Sequence, residues 1–230
     1  MRGPMPDKLM VLLFVKALVK GQVKSRLAHD LDEDLVLRLY ESMALDTVDM
    51  LKAGGFSFRI CFSPPDAFES VRDWLGQDHS YMPQIGDALG ERMEQAFGRV
   101  FTEGAGKAVL IGSDIPSLQA EIIREAFASL ETHDAAVGPA NDGGYYLIGF
   151  RRHGFLPGIF HDMPWSTPAV FRETMERFKV ARLSVHVLPE CIDADTREDL
   201  QELLLRHGGR ESRGSRTMAL LERHRGSIAG

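Results

Sequence analysis

The run Leu9-Met-Val-Leu-Leu-Phe-Val15 constrains this chain more than any other segment. No polar residue falls on either alternating set of positions, so a strand here needs apolar cover on both faces. It is far short of the roughly 18–20 residues that span a bilayer. A strand buried on both sides belongs to a parallel sheet flanked by helices, and the sequence supplies those helices. A basic loop, Lys16 to Arg26, is followed by a helix over Asp32–Lys52, in which Leu35, Leu39, Met43 and Thr47 recur at helical spacing and Gly54-Gly55 end it. Phe56–Ser63 alternates and runs into Pro64-Pro65 as a second strand, and Asp66 is expected to cap a short helix through Phe68, Val71 and Leu75. Further on, the pattern predicts a helix over Gly86–Glu103, a strand at Ala108–Ile111 and a helix from Ser117. Strands at Asp134–Gly138 and Gly144–Phe150 come next, then a helix over Pro168–Phe178, a strand at Leu183–Leu188 and a helix over Thr196–His207. This alternation predicts an α/β fold with a Rossmann-like, doubly wound sheet. Gly138–Pro168, rich in Gly, Pro and aromatics, reads as an inserted hairpin and loop region covering one side of a site.

The 230 residues suit one hydrophobic core. Cys61 and Cys191 are the only cysteines and lack metal-ligand spacing, which excludes a disulfide framework and fits a reducing cytoplasm. No 7–15-residue apolar h-region with a small-residue cleavage site follows Met1–Lys8, so neither a signal peptide nor membrane insertion is expected. Net charge is −6 but uneven: from Arg206 onward six arginines face two glutamates, a net +4, leaving −10 for residues 1–205. An acidic body argues against nucleic acid as a partner. We therefore expect one domain over 1–207 and a basic, solvated tail over 208–230, so that a chain ending at His207 loses little stability. Met218-Ala-Leu-Leu221 is the counter-signal, because those residues can dock as a helical turn. No feature of the sequence fixes an oligomeric state.

In sheets of this kind ligands bind beyond the carboxyl ends of the strands. Lys16, Lys24 and Arg26 follow the first strand; Asp114, Asp142 and the Asp193/Asp195 pair follow later ones. Carboxylates beside Lys and Arg at one rim suit a metal-bridged diphosphate, with Mg²⁺ or Mn²⁺ on hard oxygens and the cations on phosphate. Each piece also has an ordinary role. Asp114 fits a turn, Asp142 the head of a hairpin, and Asp195 a helix cap. Gly21-Gln-Val-Lys24-Ser25 ends like a phosphate loop, but the first glycine of that motif is missing near Lys16. Trp165 suits either stacking on a base or sugar or a place in the core. One of Tyr145 and Tyr146 is expected to face the core and the other the site. His161-Asp162 reads as a surface or packing pair.

Six segments carry a resemblance: Phe14–Ala28, Gly86-Asp-Ala-Leu-Gly-Glu-Arg-Met93, Ile111-Gly-Ser-Asp-Ile-Pro-Ser-Leu118, Gly138-Pro-Ala-Asn-Asp-Gly-Gly–Phe150, Met163-Pro-Trp-Ser-Thr167 and Ile192–Leu200. In this order, from residue 9 to about 205, the chain resembles the DUF2064 family, nucleotide-diphospho-sugar transferase-like proteins of glycosyltransferase-A fold. The Lys-Ser-Arg-Leu-Ala segment is also similar to that of guanylyltransferases acting on phospholactate. The resemblance implies a mixed sheet holding a nucleotide diphosphate. Lys16, Gly21, Lys24, Ser25, Arg26, Gly86 and Asp87 would serve its phosphates. Asp114 and Asp195, with Asp193 as the alternative to Asp195, would bind the metal. Gly143, Gly144, Tyr145 and Trp165 would meet the acceptor or sugar. Leu18 and Lys20 stand where the family is expected to carry prolines, and Arg197 replaces another, without loss of a charged site residue.

The expected activity is metal-dependent transfer from a nucleotide-activated donor, in first place glycosyl transfer. Lys24 and Arg26 then stabilise the departing diphosphate and Asp142 deprotonates the acceptor. The alternatives are nucleotidyl transfer with release of pyrophosphate, and a nucleotide-binding protein without catalysis.

Overall fold

The computed structural model describes residues 8–207 and 214–229. Strand β1 (Lys8–Lys16) lies inside a seven-stranded sheet, third from one edge. It pairs in parallel with β2 (Phe58–Ser63) and β4 (Ala105–Ile111), and β2 in turn with β3 (Ser80–Pro83). Beyond β4 lie β6 (Tyr145–Arg151), β5 (Ala135–Pro139) and β7 (Val185–Val187), giving the order β3-β2-β1-β4-β6-β5-β7. The turn at 140–144 joins β5 to β6 directly, so β6 runs antiparallel to both β5 and β4. The expected α/β class and mixed sheet are the observed ones.

The both-faces requirement of β1 is met from Met10 to Leu13 and at Val15, whereas Leu9 is 41% exposed and Phe14 is half-buried at the cleft. Val11, Leu13 and Val15 enter one core layer with Ala44, Val48 and Leu51, while Met10 and Leu12 enter the other with Met93, Phe97 and Phe150. The first layer is roofed by α2 (Glu33–Ala53), α3 (Phe68–Leu75) and α5 (Ala120–Ser129); the second by α4 (Leu89–Thr102) and α6 (Val170–Val180). A one-turn helix, α1 (Leu27–Asp30), follows the basic loop. Asp32 caps α2 as its position suggests, accepting from the N–H groups of Asp34 and Leu35. Asp66 does not cap α3, whose N-cap is Ala67 without a side-chain bond, and the helix expected from Ser117 starts at Ala120. Strand β3 was not expected: four residues, of which only Met82 is buried, carry too little pattern to stand out.

The largest departure is the tail. Helix α2 buries two faces, and its outer one, Leu35, Leu39 and Met43, meets α7 (Arg197–His207), α8 (Arg216–Arg223) and α9 (Arg225–Ala229) in a third cluster. Met218, Leu221 and Ile228 are 5%, 0% and 0% exposed there, so the described part of the tail is packed rather than solvated. The division expected between 207 and 208 falls beside residues outside the described set. No helix among the described residues is long and apolar enough to cross a membrane.

Candidate active site

A cleft of about 620 Å³ opens where the loops leave the carboxyl ends of β1 and β4. Its floor is tied together by Tyr40 of α2. The Lys16 amide donates to the Tyr40 hydroxyl at 2.7 Å, and Ser113 Oγ donates to the same oxygen at 3.2 Å, joining the ends of β1 and β4. The basic loop then turns back through Lys24, whose φ of +48° is a left-handed conformation that costs an L-residue about 1 kcal/mol or more. That turn aims Lys24 inward.

Lys24 is the centre of the site. Its side chain is 5% exposed, and its Nζ lies 2.7 Å from Asp114 Oδ2, 2.8 Å from Asp193 Oδ1 and 3.6 Å from Asp195 Oδ1. Arg26 reaches the other oxygen of Asp195 at 3.1 Å, from a largely exposed position. Burial opposes the charge on Lys24, yet the three carboxylates outweigh it and hold its pKa above the usual lysine range. Burial likewise works against the Asp114 carboxylate, but Lys24 prevails and its pKa is lowered. Asp193 goes the other way: burial, and then the charge on Asp114, push it up to about 7. One buried ammonium satisfies one carboxylate fully and leaves the cage with an excess of negative charge.

The carboxylates reach Lys24 because none of them is spent on the local roles open to it. The cap of α7 is Thr196, whose Oγ1 accepts the Asp199 N–H, while Asp199 Oδ2 accepts in return from the Asp195 and Thr196 N–H groups, so Asp195 is left for the cations. Gln119, not Asp114, occupies the N-cap of α5. Asn141 clamps the acidic segment: its Oδ1 accepts from the Asp193 N–H at 3.0 Å and its Nδ2 donates to Asp199 Oδ1 at 2.7 Å.

The other expected residues divide into two groups. Lys16, Ser25, Asp142, Gly144, Tyr145 and Trp165 line the same cleft. Among the described residues Lys16 makes no ion pair, and Tyr145 meets Trp165 edge-on at 6.3 Å. Tyr146 also touches the cleft but belongs to the core, its hydroxyl donating to the Pro189 carbonyl. Gly21, Gly86, Asp87 and Gly143 do not line it. Gly143, at φ +86°, passes so close to Pro168 that a Cβ would meet its carbonyl oxygen at 2.4 Å, so it positions the turn rather than touching a ligand. Asp142 does serve its turn, Oδ1 accepting the Gly144 N–H at 2.8 Å. His161 is exposed and pairs with Glu94, as a surface histidine does. Sequence reasoning passed over Tyr40 and Gln84, which looked like ordinary helix and loop residues, and gave Arg92 no role of its own.

Three aspartate oxygens facing one cation are the hard-oxygen set that Mg²⁺ or Mn²⁺ takes. At present spacing, however, no group of three or more His, Cys, Asp or Glu side chains among the described residues is arranged to hold a metal ion. The donor chemistry fits a divalent ion, while at present spacing the Lys24 ammonium holds the centre.

A search of curated proteins gives no match. Among solved structures, the chain is similar to a protein of Desulfovibrio desulfuricans G20 provisionally assigned as a nucleotide-diphospho-sugar transferase. The two are 38% identical over 97% of each chain, with a TM-score of 0.92. The fold, but no more, is shared with Rv0371c of Mycobacterium tuberculosis H37Rv in complex with manganese (19% identity, 87% of this chain and 100% of that one, TM-score 0.53). The same holds for CMP:2-keto-3-deoxy-manno-octonic acid synthetase complexed with CTP (12% identity, 87% and 98%, TM-score 0.51). The family model described as "uncharacterized protein conserved in bacteria (DUF2064)" matches residues 46–167, and with the Desulfovibrio relative alike from end to end, this chain belongs to the DUF2064 family.

Proposed function

We propose that this protein is a metal-dependent transferase acting on a nucleotide-activated donor, in first place a nucleotide-diphospho-sugar. The observation that carries the reading is the buried Lys24 ammonium inside a cage of three carboxylates at the sheet's rim. A cage with excess negative charge recruits a divalent ion, and the ammonium it releases lies beside the phosphates such an ion would bind. Asp114 and Asp193, with Asp195, would hold Mg²⁺ or Mn²⁺, which when bound supplies Lewis-acid neutralisation of a diphosphate. Lys24, Arg26 and Lys16 then bind the diphosphate oxygens, where charge grows as the leaving group departs. Asp142 keeps Oδ2 for an acceptor hydroxyl while Oδ1 holds its turn, and takes that hydroxyl's proton at Oδ2. The name given to the Desulfovibrio relative supports the donor class, and the manganese in the fold neighbour supports the ion. The CTP bound by another fold neighbour keeps nucleotidyl transfer as the second reading.

The test is a thermal-shift screen of nucleoside diphosphates, triphosphates and nucleotide-sugars with and without Mn²⁺, followed by product analysis. Mn²⁺-dependent stabilisation by a nucleotide-sugar with release of nucleoside diphosphate is the expected result. Pyrophosphate release from a triphosphate selects nucleotidyl transfer. Metal-dependent binding without turnover selects a binding protein, and no stabilisation by any nucleotide overturns the reading.

A further inference from the structure

The Lys24 ammonium stands where a divalent ion would have to go. Its Nζ is within hydrogen-bonding distance of Asp114 Oδ2 and Asp193 Oδ1, at 2.7 and 2.8 Å, with Asp195 Oδ1 at 3.6 Å. An ion such as Mg²⁺ takes carboxylate oxygens at about 2.0–2.1 Å, inside that spacing. It needs the space the ammonium fills, and mutual repulsion keeps two cations from sharing it.

The three cations expected at the phosphates differ in this respect. Lys16 lines the cleft without an ion pair among the described residues. Arg26 reaches only the outer oxygen of Asp195, from a side chain 56% exposed. Lys24 alone is spent inside the cage, at 5% exposure. An incoming ion has to drive its ammonium away from three carboxylates, and that cost is subtracted from the ion's affinity. A diphosphate in the cleft offers the ammonium anionic oxygens in their place and removes part of the cost. The backbone need not move for this exchange. The Lys24 carbonyl accepts the Ala28 N–H at 3.1 Å, which ties it to α1, and the flexible four-carbon stem carries the charge from one partner to the other.

We propose that Lys24 guards the metal site: it keeps a divalent ion weakly bound in the free protein and yields the centre when a diphosphate receives its ammonium. The inference rests on the metal-dependent reading above, and it deepens that reading by making metal and diphosphate bind cooperatively through one side chain. The coupling is reciprocal, so the ion tightens the diphosphate by the same factor as the diphosphate tightens the ion.

Calorimetric titration of Mn²⁺ into diphosphate-free protein tests it, with wild type, Lys24→Met and Arg26→Met side by side. Lys24→Met empties the centre and is expected to bind Mn²⁺ roughly 5- to 150-fold tighter than wild type, the usual range of coupling between sites. Arg26→Met removes the same charge from the edge of the cage and should gain only a few-fold, which separates occupancy of the site from net charge. A Lys24→Met protein that gains no more than Arg26→Met overturns the inference. A second measurement needs no variant. In wild-type protein the ¹⁵N resonance of the Lys24 ammonium is expected to stay in place with Mg²⁺ alone and to move when pyrophosphate is added at the same Mg²⁺ concentration. A resonance that moves with Mg²⁺ alone, or that stays in place with both, also overturns it. Mn²⁺-dependent nucleotide binding that persists while Lys24→Met gains nothing leaves the transferase reading standing without the guard. Protein that binds no Mn²⁺, with or without a nucleotide, ends both.

Discussion

Two clusters of aspartate and cation stand on either side of α2, and they are built on opposite principles. At the cleft, three carboxylates crowd one buried ammonium. On the outer side, the carboxylate of Asp46 is closed by donors: Ser215 Oγ at 2.8 Å, the N–H groups of Arg216 and Thr217 at 3.0 and 2.9 Å, and Arg216 Nη1 at 3.2 Å, which also reaches the exposed Asp49 at 2.6 Å. The outer cluster is satisfied. It fixes the N-terminus of α8, where an anion is favoured, and so holds the tail onto the third core cluster. The inner cluster leaves charge over, and Asp193 shows it by its raised pKa. Saturated charge marks a structural joint, whereas unbalanced charge held under burial marks a place prepared for a ligand.

The contrast breaks most sharply at the tail itself. Ending the chain at His207 removes Met218, Leu221 and Ile228 from the core and uncovers one side of α2. At roughly 1.5–3 kcal/mol per buried side chain, less the entropy of ordering, the loss should be about 4 kcal/mol, against the small one the sequence suggested. Urea denaturation of the shortened chain measures it, and a change under about 1 kcal/mol would show that the joint is ornamental.

Lys24→Met should come next. It leaves three carboxylates without their central cation, at a cost of about 3 kcal/mol in metal-free protein. This is the low end for breaking a buried pair, because the acids stay partly wetted. Added Mn²⁺ should recover part of the loss. Unfolding curves that coincide with wild type, with and without Mn²⁺, would remove Lys24 from the centre of the argument.

Asp46→Ala takes the acceptor from Ser215 Oγ and from the Arg216 and Thr217 N–H groups, leaves the Arg216 guanidinium with Asp49, and should cost about 2 kcal/mol, as loss of a strong helix cap does. Nucleotide binding should be unaffected. A loss of nucleotide affinity comparable with the loss of stability would mean that the two clusters are coupled through α2.

Asp114→Asn should have the smallest effect on stability, within about 1 kcal/mol, since removing one of three acids brings the cage closer to neutral. Its effect appears elsewhere, in the loss of Mn²⁺-dependent nucleotide binding. Calorimetry that finds the Mn²⁺ requirement intact would reduce Asp114 to a turn residue.

Much of this architecture was legible in the chain. The apolar run Leu9–Val15 dictated a strand covered on both faces, and the 3.6-residue spacing of Leu35, Leu39 and Met43 dictated α2. The motifs after β1, β4, β5 and β7 pointed to one rim because strands in such a sheet end together, and Lys24, Arg26, Asp114, Asp142 and Asp195 do line one cleft. These features are local: periodicity and strand order need no knowledge of distant neighbours. What only the tertiary structure decided depends on which groups meet across long separations. Lys24 and Asp193, 169 residues apart, touch because Asn141 and Asp199 hold the acidic segment in place. The arginines of the tail read as solvated charge because nothing in the sequence shows that Asp46 waits for Arg216, 170 residues on. Arg92 stands in the Gly86–Met93 segment that carries the resemblance, with no role of its own legible there. Its guanidinium is held in the cleft wall only because the Gly86 turn and the end of β2 arrive beside it, and a hydrogen-bond geometry of that kind is set by packing, not by spacing along the chain.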